Sequence, residues 1–307
     1  MSSTLSRVDG AALPLAATGW RGTIFDYYDL VKPRIIVLLL ITTLAAMIMA
    51  ARGFPNPLTV VFTLVGGALA AASAGAFNCV YDADIDRKMR RTMGRPVARG
   101  AIESRHALVY AIALGVVSFV LLDYLVNPLA AWLSLAGNAY YVFVYTMWLK
   151  RTTPQNIVIG GLAGSIPPLV GWAAVTGSLG WPAVALFVLI FLWTPPHFWA
   201  LALMTDIDYD KAGIPMMPNV YGVRHTKIEM LAYTVALLVF SVALVALHVL
   251  GPIFLIASLA LGARFLYDAI MLLRDDGKKY ARRMFKFSLV YLALMCVAMV
   301  ADRVIGG

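Results

Sequence analysis

The run Leu58–Pro96, LTVVFTLVGGALAAASAGAFNCVYDADIDRKMRRTMGRP, passes from an apolar stretch straight into a dense ionic one. Leu58 to Val80, with Gly66, Gly67 and Gly75, is long enough to cross a bilayer core, which takes about 20 residues. If the helix continues through the junction, Asn78, Asp82 and Asp86 fall at i, i+4 and i+8. Each four-residue step drifts by about 40°, so the three share one face over about 12 Å. Asp84 falls off that stripe. Two carboxylates and an amide oxygen in line make a hard-oxygen site of the kind that suits Mg²⁺. Seven basic residues follow before the next apolar run: Arg87, Lys88, Arg90, Arg91, Arg95, Arg99 and Arg105. Guanidiniums match phosphate oxygens, so the stretch reads as a site for a metal-bound diphosphate. A solvated loop that only sets topology would account for the basic residues. It would leave the Asn78/Asp82/Asp86 register unexplained.

Working outward, the chain is 307 residues, 61% hydrophobic and 13% charged, which excludes an ordinary soluble domain. A net charge of +9 would suggest nucleic acid in a soluble protein. Here the basic residues lie between apolar runs, as the positive-inside rule requires, and no nucleic-acid partner is expected. Nine runs are each long enough to span: 34–51, 58–80, 105–124, 128–148, 156–176, 181–204, 228–248, 252–272 and 284–304. The fold class is therefore an all-α integral membrane protein. Its single domain, 1–307, is an N-terminal arm (1–33) and a nine-helix bundle (34–304). Twenty-two Lys and Arg lie on one side and two, Arg52 and Arg303, on the other, with Arg264 inside a span. This places the N-terminus in the cytoplasm and the C-terminus outside, in a bacterial inner membrane. Trp20 to Val31 is aromatic-rich and suits the interface. No signal peptide is read in the first 30 residues. Cys79 is expected at the cytoplasmic end of its helix and Cys296 in the outer half of another, so no disulfide is expected.

A second ionic cluster, Asp206-Ile-Asp208-Tyr209-Asp210-Lys211, closes the sixth run 124 residues after Asp82. The first and fifth runs start about the same distance apart. The chain thus reads as two four-helix halves, each with an acidic motif after its second helix, plus a ninth helix. Tyr145-Thr-Met-Trp-Leu-Lys150-Arg151 closes the fourth run. Its cations could hold phosphate oxygens, although Tyr, Trp and Lys also serve as plain interfacial anchors. Trp193-Thr-Pro195-Pro196-His197-Phe198-Trp199 is expected to kink the sixth span and line a cavity. An ionisable His there is a functional candidate; the plain alternative is a neutral imidazole bonded to a freed carbonyl.

Together these clusters resemble the membrane prenyltransferases related to 4-hydroxybenzoate polyprenyltransferase. The family's Asn-x-x-x-Asp-x-x-x-Asp motif matches Asn78, Asp82 and Asp86. The likeness covers nearly all of residues 30–305. Asp86-Arg-Lys-Met-Arg-Arg91-Thr-Met-Gly-Arg95-Pro96, the Tyr145–Arg151 segment, Pro-Pro-His197-Phe and Asp208-Tyr209…Gly213-Ile-Pro215 look most like the branch that farnesylates haem. The resemblance implies nine helices around a central cavity capped by the acidic loops, with farnesyl diphosphate and haem b as substrates and Mg²⁺ as cofactor. A haem-O-modifying enzyme is a further candidate partner beside the lipid bilayer.

For site residues it implies Asn78, Asp82, Asp86 and Asp208 at the metal, and Arg91, Arg95, Lys150 and Arg151 at diphosphate oxygens. Phe77, Tyr81, Tyr141 and Tyr145 would line the substrate pocket, where aromatic faces suit an allylic cation. The wider family pairs its second carboxylates at the spacing of Asp206 and Asp210, whereas the haem branch centres on Asp208. All three stay metal candidates, with Asp208 preferred. His197 would ligate haem iron or assist a water. Prenylation of an aromatic acceptor such as 4-hydroxybenzoate is the alternative within the enzyme class. A two-repeat transporter would instead gather its charges near the midplane, and a purely structural subunit leaves the first motif without a purpose.

Overall fold

The computed structural model describes residues 20–275 and 277–306, with the side chains of residues 20–22 and 206 outside the description. The arm expected over 1–33 is therefore described only from Trp20. All elements among the described residues are helical. α1 (Trp20–Leu30) exposes Ile24, Phe25 and Tyr28, buries Leu30 and ties Asp26 to Arg99 through an ion pair. α2 (Pro33–Ala51) begins after Lys32, whose φ of 55° is left-handed, with Pro33 in the first turn where its missing N–H costs nothing. α3 (Pro57–Tyr81) is capped by the Asn56 side chain, which accepts from the N–H of Leu58 at 2.9 Å. α4 (Ser104–Leu125) returns against α3.

α5 (Pro128–Ala139) continues without a break into a π-helix, Tyr140–Leu149, and a last α turn, Lys150–Thr152. α6 (Asn156–Thr176) is built of three short pieces and stops at Gly177, whose φ of 67° only glycine adopts freely. α7 (Trp181–Ala212), α8 (Val223–Ala246), α9 (Pro252–Arg274) and α10 (Lys279–Ile305) complete the chain. Among the described residues eight helices are long and apolar enough to cross a membrane: α2, α3, α4, α6, α7, α8, α9 and α10. The protein is a multi-pass membrane protein. The run expected to span at 128–148 is helical throughout but changes from α to π at Tyr140.

The prolines of α7 do not break it. Helical geometry runs through Pro195 and Pro196, and the kink falls at Thr205 (φ −123°, ψ 20°), one residue before the second acidic cluster. Proline's fixed φ fits a helix, so its cost is the lost hydrogen bond rather than the direction. The Thr194 hydroxyl bonds back to the Ile190 carbonyl at 2.8 Å beside the gap.

With lipid on the outside, helix association depends on close packing and hydrogen bonds rather than on hydrophobicity. α3 and α4 meet where a Cβ on Gly66 would lie 2.6 Å from Leu122. Ser118 donates there to the Gly66 carbonyl at 2.7 Å, and Ser73 donates to the Ala111 carbonyl at 2.8 Å. The largest core lies between α7 and α10, around Trp199, Phe254, Phe265 and Tyr291. At the far end from the acidic clusters, buried Asp302 on α10 accepts from the N–H groups of Gly251 and Phe254 and so caps α9 from a neighbouring helix. Asp302→Ala leaves those donors unpaired, and a cost of about 1–3 kcal/mol is expected. A thermal-unfolding midpoint in detergent checks this, with a fall of several degrees expected and an unchanged midpoint contradicting it.

Candidate active site

The helix does carry through the junction at Asp82. The Asp82 N–H donates to the Asn78 carbonyl at 2.9 Å and the Asp86 N–H to the Asp82 carbonyl at 2.8 Å, across the start of a short helix, Ala83–Asp86. Asn78, Asp82 and Asp86 therefore share one face, and all three are buried. Isolated carboxylates would not tolerate such burial. Each is met by a cation: Lys150 pairs with Asp82, and Arg95 donates to both oxygens of Asp86 at 2.9 and 2.7 Å. The Asn78 amide donates to Asp82 at 2.6 Å and to the Thr146 hydroxyl at 3.2 Å, while its oxygen accepts from Lys32.

Lys32 and Thr146 were not candidates from sequence. Lys32 reads there as a topology charge, yet its left-handed backbone turns the side chain from the α1–α2 junction into the cluster. Burial pulls its amine down to about 8, and the charges of Arg95 and Lys150 act in the same direction.

The π-helix explains how Lys150 arrives. Its N–H donates to the Tyr145 carbonyl, an i→i+5 bond, which shifts the end of the helix relative to a regular α register. The Tyr141 and Tyr145 ring centres are 5.3 Å apart, with the rings tilted by 41°. Tyr141 lies within the electrostatic reach of Asp82, Arg95 and Asp86, and Tyr145 within that of Tyr209, Asp82 and Arg91. The Tyr145 ring fills the space left by Gly160, where a Cβ would sit 2.2 Å away. Tyr209 brings the second acidic loop to the same neighbourhood. That loop is anchored by Asn156, which donates to the Pro215 carbonyl at 3.1 Å.

Several assignments change on this geometry. Arg151 is engaged mainly by Asp84, at 2.7 and 2.9 Å, and its guanidinium lies 4.6 Å from the Tyr81 ring centre. It holds the Asp84 carboxyl below the usual carboxylate range. Its distance to Asp82 is 3.8 Å, too long for a hydrogen bond. Phe77 points instead into an apolar groove of about 380 Å³ between α3, α4 and α5, shared with Ser73, Ser118 and Asn138. Arg91 is exposed and carries no ion pair among the described residues.

Asp208 is half-buried and Asp210 exposed; the side chain of Asp206 lies outside the description. Among the described residues no three of His, Cys, Asp and Glu gather as a metal set, so Asp208 and Asp210 do not join Asp82 and Asp86 in one. Lys150 and Arg95 already balance Asp82 and Asp86.

The first cluster nevertheless fits a metal. Asp82 Oδ1 is fully buried with no hydrogen-bond partner, an acceptor free toward the site. Its oxygens are of the hard type that Mg²⁺ takes with further oxygens from phosphate and water.

His197 lies elsewhere, on α7 facing α10. Its ring stacks between Trp193 (4.3 Å) and Phe285 (4.8 Å), and Nδ1 is 2.6 Å from the Ser288 hydroxyl. That hydroxyl also lies 2.7 Å from the Phe285 carbonyl one turn earlier on α10. Nε2 has no hydrogen-bond partner among the described residues. The ring's partner is thus a hydroxyl, not the freed carbonyl of the plain alternative reading. Both cysteines are free and buried.

The pattern of the UbiA prenyltransferase family matches residues 39–290. A protoheme IX farnesyltransferase from Synechocystis sp. is 54% identical over 279 residues, covering 90% of this chain and 88% of that one. Its counterpart from Gloeobacter violaceus is 52% identical over 280 residues, covering 91% and 92%. Two solved structures share the fold at low identity. One, from work on digeranylgeranylglyceryl phosphate synthase, has a TM-score of 0.76 at 19% identity over 92% of this chain and 98% of that one. The other, a UbiA homolog from Archaeoglobus fulgidus bound to DMAPP and Mg²⁺, has a TM-score of 0.63 at 16% identity over 89% and 99%. By family pattern and by relatives matched along nine-tenths of its length, the chain belongs to the UbiA prenyltransferase family.

Proposed function

We propose that this enzyme transfers the farnesyl group of farnesyl diphosphate to a vinyl group of haem b, giving haem O. The observation that carries the acceptor is the identity of about half to protoheme IX farnesyltransferases over most of both chains. The buried Asn78–Asp82–Asp86 face with its cations supports the donor. We read the chain as one domain of nine spans, the fourth being α5 with its π extension. The acidic clusters face the cytoplasm of a bacterial inner membrane, because nearly all the basic residues lie on their side.

In this reading Asn78, Asp82 and Asp86 hold Mg²⁺, with Asp208 of the second loop, and Asp206 or Asp210, completing the site as the loops close on substrate. When bound, Mg²⁺ neutralises the diphosphate so that it can leave. Lys32, Arg91, Arg95 and Lys150 bind diphosphate oxygens: Lys32, Arg95 and Lys150 exchange their present partners for the ligand. Arg151 fixes Asp84 and Tyr81 and so shapes the rim. The bond from farnesyl C1 to the diphosphate oxygen breaks, and the faces of Tyr141 and Tyr145 border the allylic cation in a water-poor site. The vinyl π electrons form the new carbon–carbon bond. Water then adds to the remaining cation and releases a proton, leaving a hydroxyethylfarnesyl group. His197 is assigned to the haem through Nε2, in the tautomer whose Nδ1–H donates to the Ser288 hydroxyl.

His197→Ala is expected to shift the visible spectrum of bound haem b and to raise the KM for haem more than that for farnesyl diphosphate. Unchanged haem affinity and turnover would reduce it to a packing residue. The overall reading is tested with purified enzyme, Mg²⁺, farnesyl diphosphate and either haem b or 4-hydroxybenzoate. A haem product heavier by one farnesyl group and one hydroxyl is expected. Prenylation of the benzoate alone would leave the donor site standing and overturn the haem acceptor.

A further inference from the structure

A second ionic cluster lies outside the active site, on α9 and α10. Asp268 is fully buried and is shared by two arginines: Arg264, one turn before it on α9, and Arg283 on α10, whose Nε is 3.1 Å from Oδ1. One carboxylate between two guanidiniums leaves a unit of positive charge. Both arginine side chains stay partly open, at 35% and 42%. Their donors are largely unspent. Among the described residues Arg283 makes no hydrogen bond from Nη1 or Nη2, and Arg264 uses only Nη1. Aromatic faces frame them: Arg264 lies 4.8 Å from the Phe287 ring centre, and Arg283 lies 5.7 and 5.8 Å from those of Tyr267 and Tyr280.

The placement points outward, to lipid. Tyr267 between the two guanidiniums is 48% exposed on a membrane-spanning helix. Arg264 sits ten residues before the end of α9, about 15 Å in by helical rise, and its pairing with Asp268 turns its guanidinium back toward that end. On α10, Phe285 and Ser288, which meet His197, lie about 200° and 140° around the helix from Arg283. The cluster therefore faces away from the reacting groups. It shares their membrane side, since Lys278 in the α9–α10 turn reaches the Met204 carbonyl near the end of α7. A topology signal needs only charge. It does not need a buried carboxylate holding two forked cations side by side with their outer donors free.

We propose that Arg264, Asp268 and Arg283 form a binding site for the phosphate of an anionic phospholipid in the leaflet on the acidic-cluster side. Asp268 sets the two guanidiniums, whose free N–H groups grip phosphate oxygens, while Tyr267 and Phe287 border the glycerol and upper acyl chains. Basic pockets between spanning helices on the cytoplasmic side suit such headgroups.

The test is native mass spectrometry of the full-length protein released from nanodiscs of phosphatidylglycerol or of phosphatidylcholine. Wild type is expected to retain phosphatidylglycerol at least tenfold more than phosphatidylcholine. Arg283→Gln should cut that retention severalfold with basal turnover in detergent unchanged. Because the Arg264→Gln/Asp268→Asn/Arg283→Gln variant keeps no unpaired buried charge, it serves as a second test and should lose the preference altogether. Equal retention of both lipids by wild type, or an undiminished preference in folded variants, would overturn the proposal. So would displacement of the lipid by haem b at equimolar concentration, which would make the cluster a propionate site.

Discussion

Asp82→Asn is expected to insert and fold as the wild type does and to lose about a thousandfold or more in farnesyl transfer. The side chain keeps its volume, so packing at the end of α3 is preserved and the backbone bond from Asp82 N–H to Asn78 remains. What goes is the charge and one acceptor. Asp82 Oδ1 is the buried oxygen left without a partner, and Oδ2 takes both the Asn78 amide and Lys150. An amide at this position offers one neutral oxygen to a divalent cation and turns a second donor toward Asn78. Turnover with Mg²⁺ at saturating farnesyl diphosphate and haem b is the readout, with detergent-solubilised yield as the control for folding. Activity within tenfold of wild type would remove Asp82 from the metal.

The largest effect on folding is expected at Gly171. A Cβ there would sit 2.3 Å from the Thr43 carbonyl oxygen and 3.0 Å from its carbon, both backbone atoms that cannot rotate away. Gly171→Val must push α6 off α2 along one of the most extensive helix contacts in the protein. Overpacking of this kind costs about 3 kcal/mol. The expected result is poor yield and a midpoint lowered by ten degrees or more, while Gly164→Ala, where a Cβ meets nothing within 4 Å, leaves the midpoint in place. Equal stability of the two variants would contradict the packing account. Gly66→Ala should be milder, since its obstacle is the flexible Leu122 side chain rather than backbone.

The membrane-spanning character was legible because a bilayer enforces it: apolar length is read directly from runs such as Leu58–Val80. The Asn78/Asp82/Asp86 register was legible too, since it needs only the helical period. What the sequence withheld concerned partners and backbone irregularity. Tyr140–Leu149 is as apolar and aromatic as an α-helical span, and nothing in its letters marks the π register that delivers Lys150. Lys32 reads as one more basic residue, because only the left-handed turn before Pro33 aims it inward. Arg151 and Lys150 are adjacent in sequence yet separate, one to exposed Asp84 and the other to buried Asp82. The Pro195-Pro196 pair announced a kink that the chain makes ten residues later, at Thr205. Phe77, one residue before Asn78, lies about 100° round the helix from it and lines the groove between α3, α4 and α5 instead.

The most direct test of the diphosphate site is calorimetric binding of a non-hydrolysable thio-analogue of farnesyl diphosphate to wild type, Asp82→Asn and Asp86→Asn, with Mg²⁺ and with chelator. Tight binding by wild type with Mg²⁺ alone, weakened at least a hundredfold by chelator and by either substitution, is the expected result. Binding of equal strength with chelator present, or in both variants, would contradict it and place the diphosphate away from the Asn78–Asp82–Asp86 face.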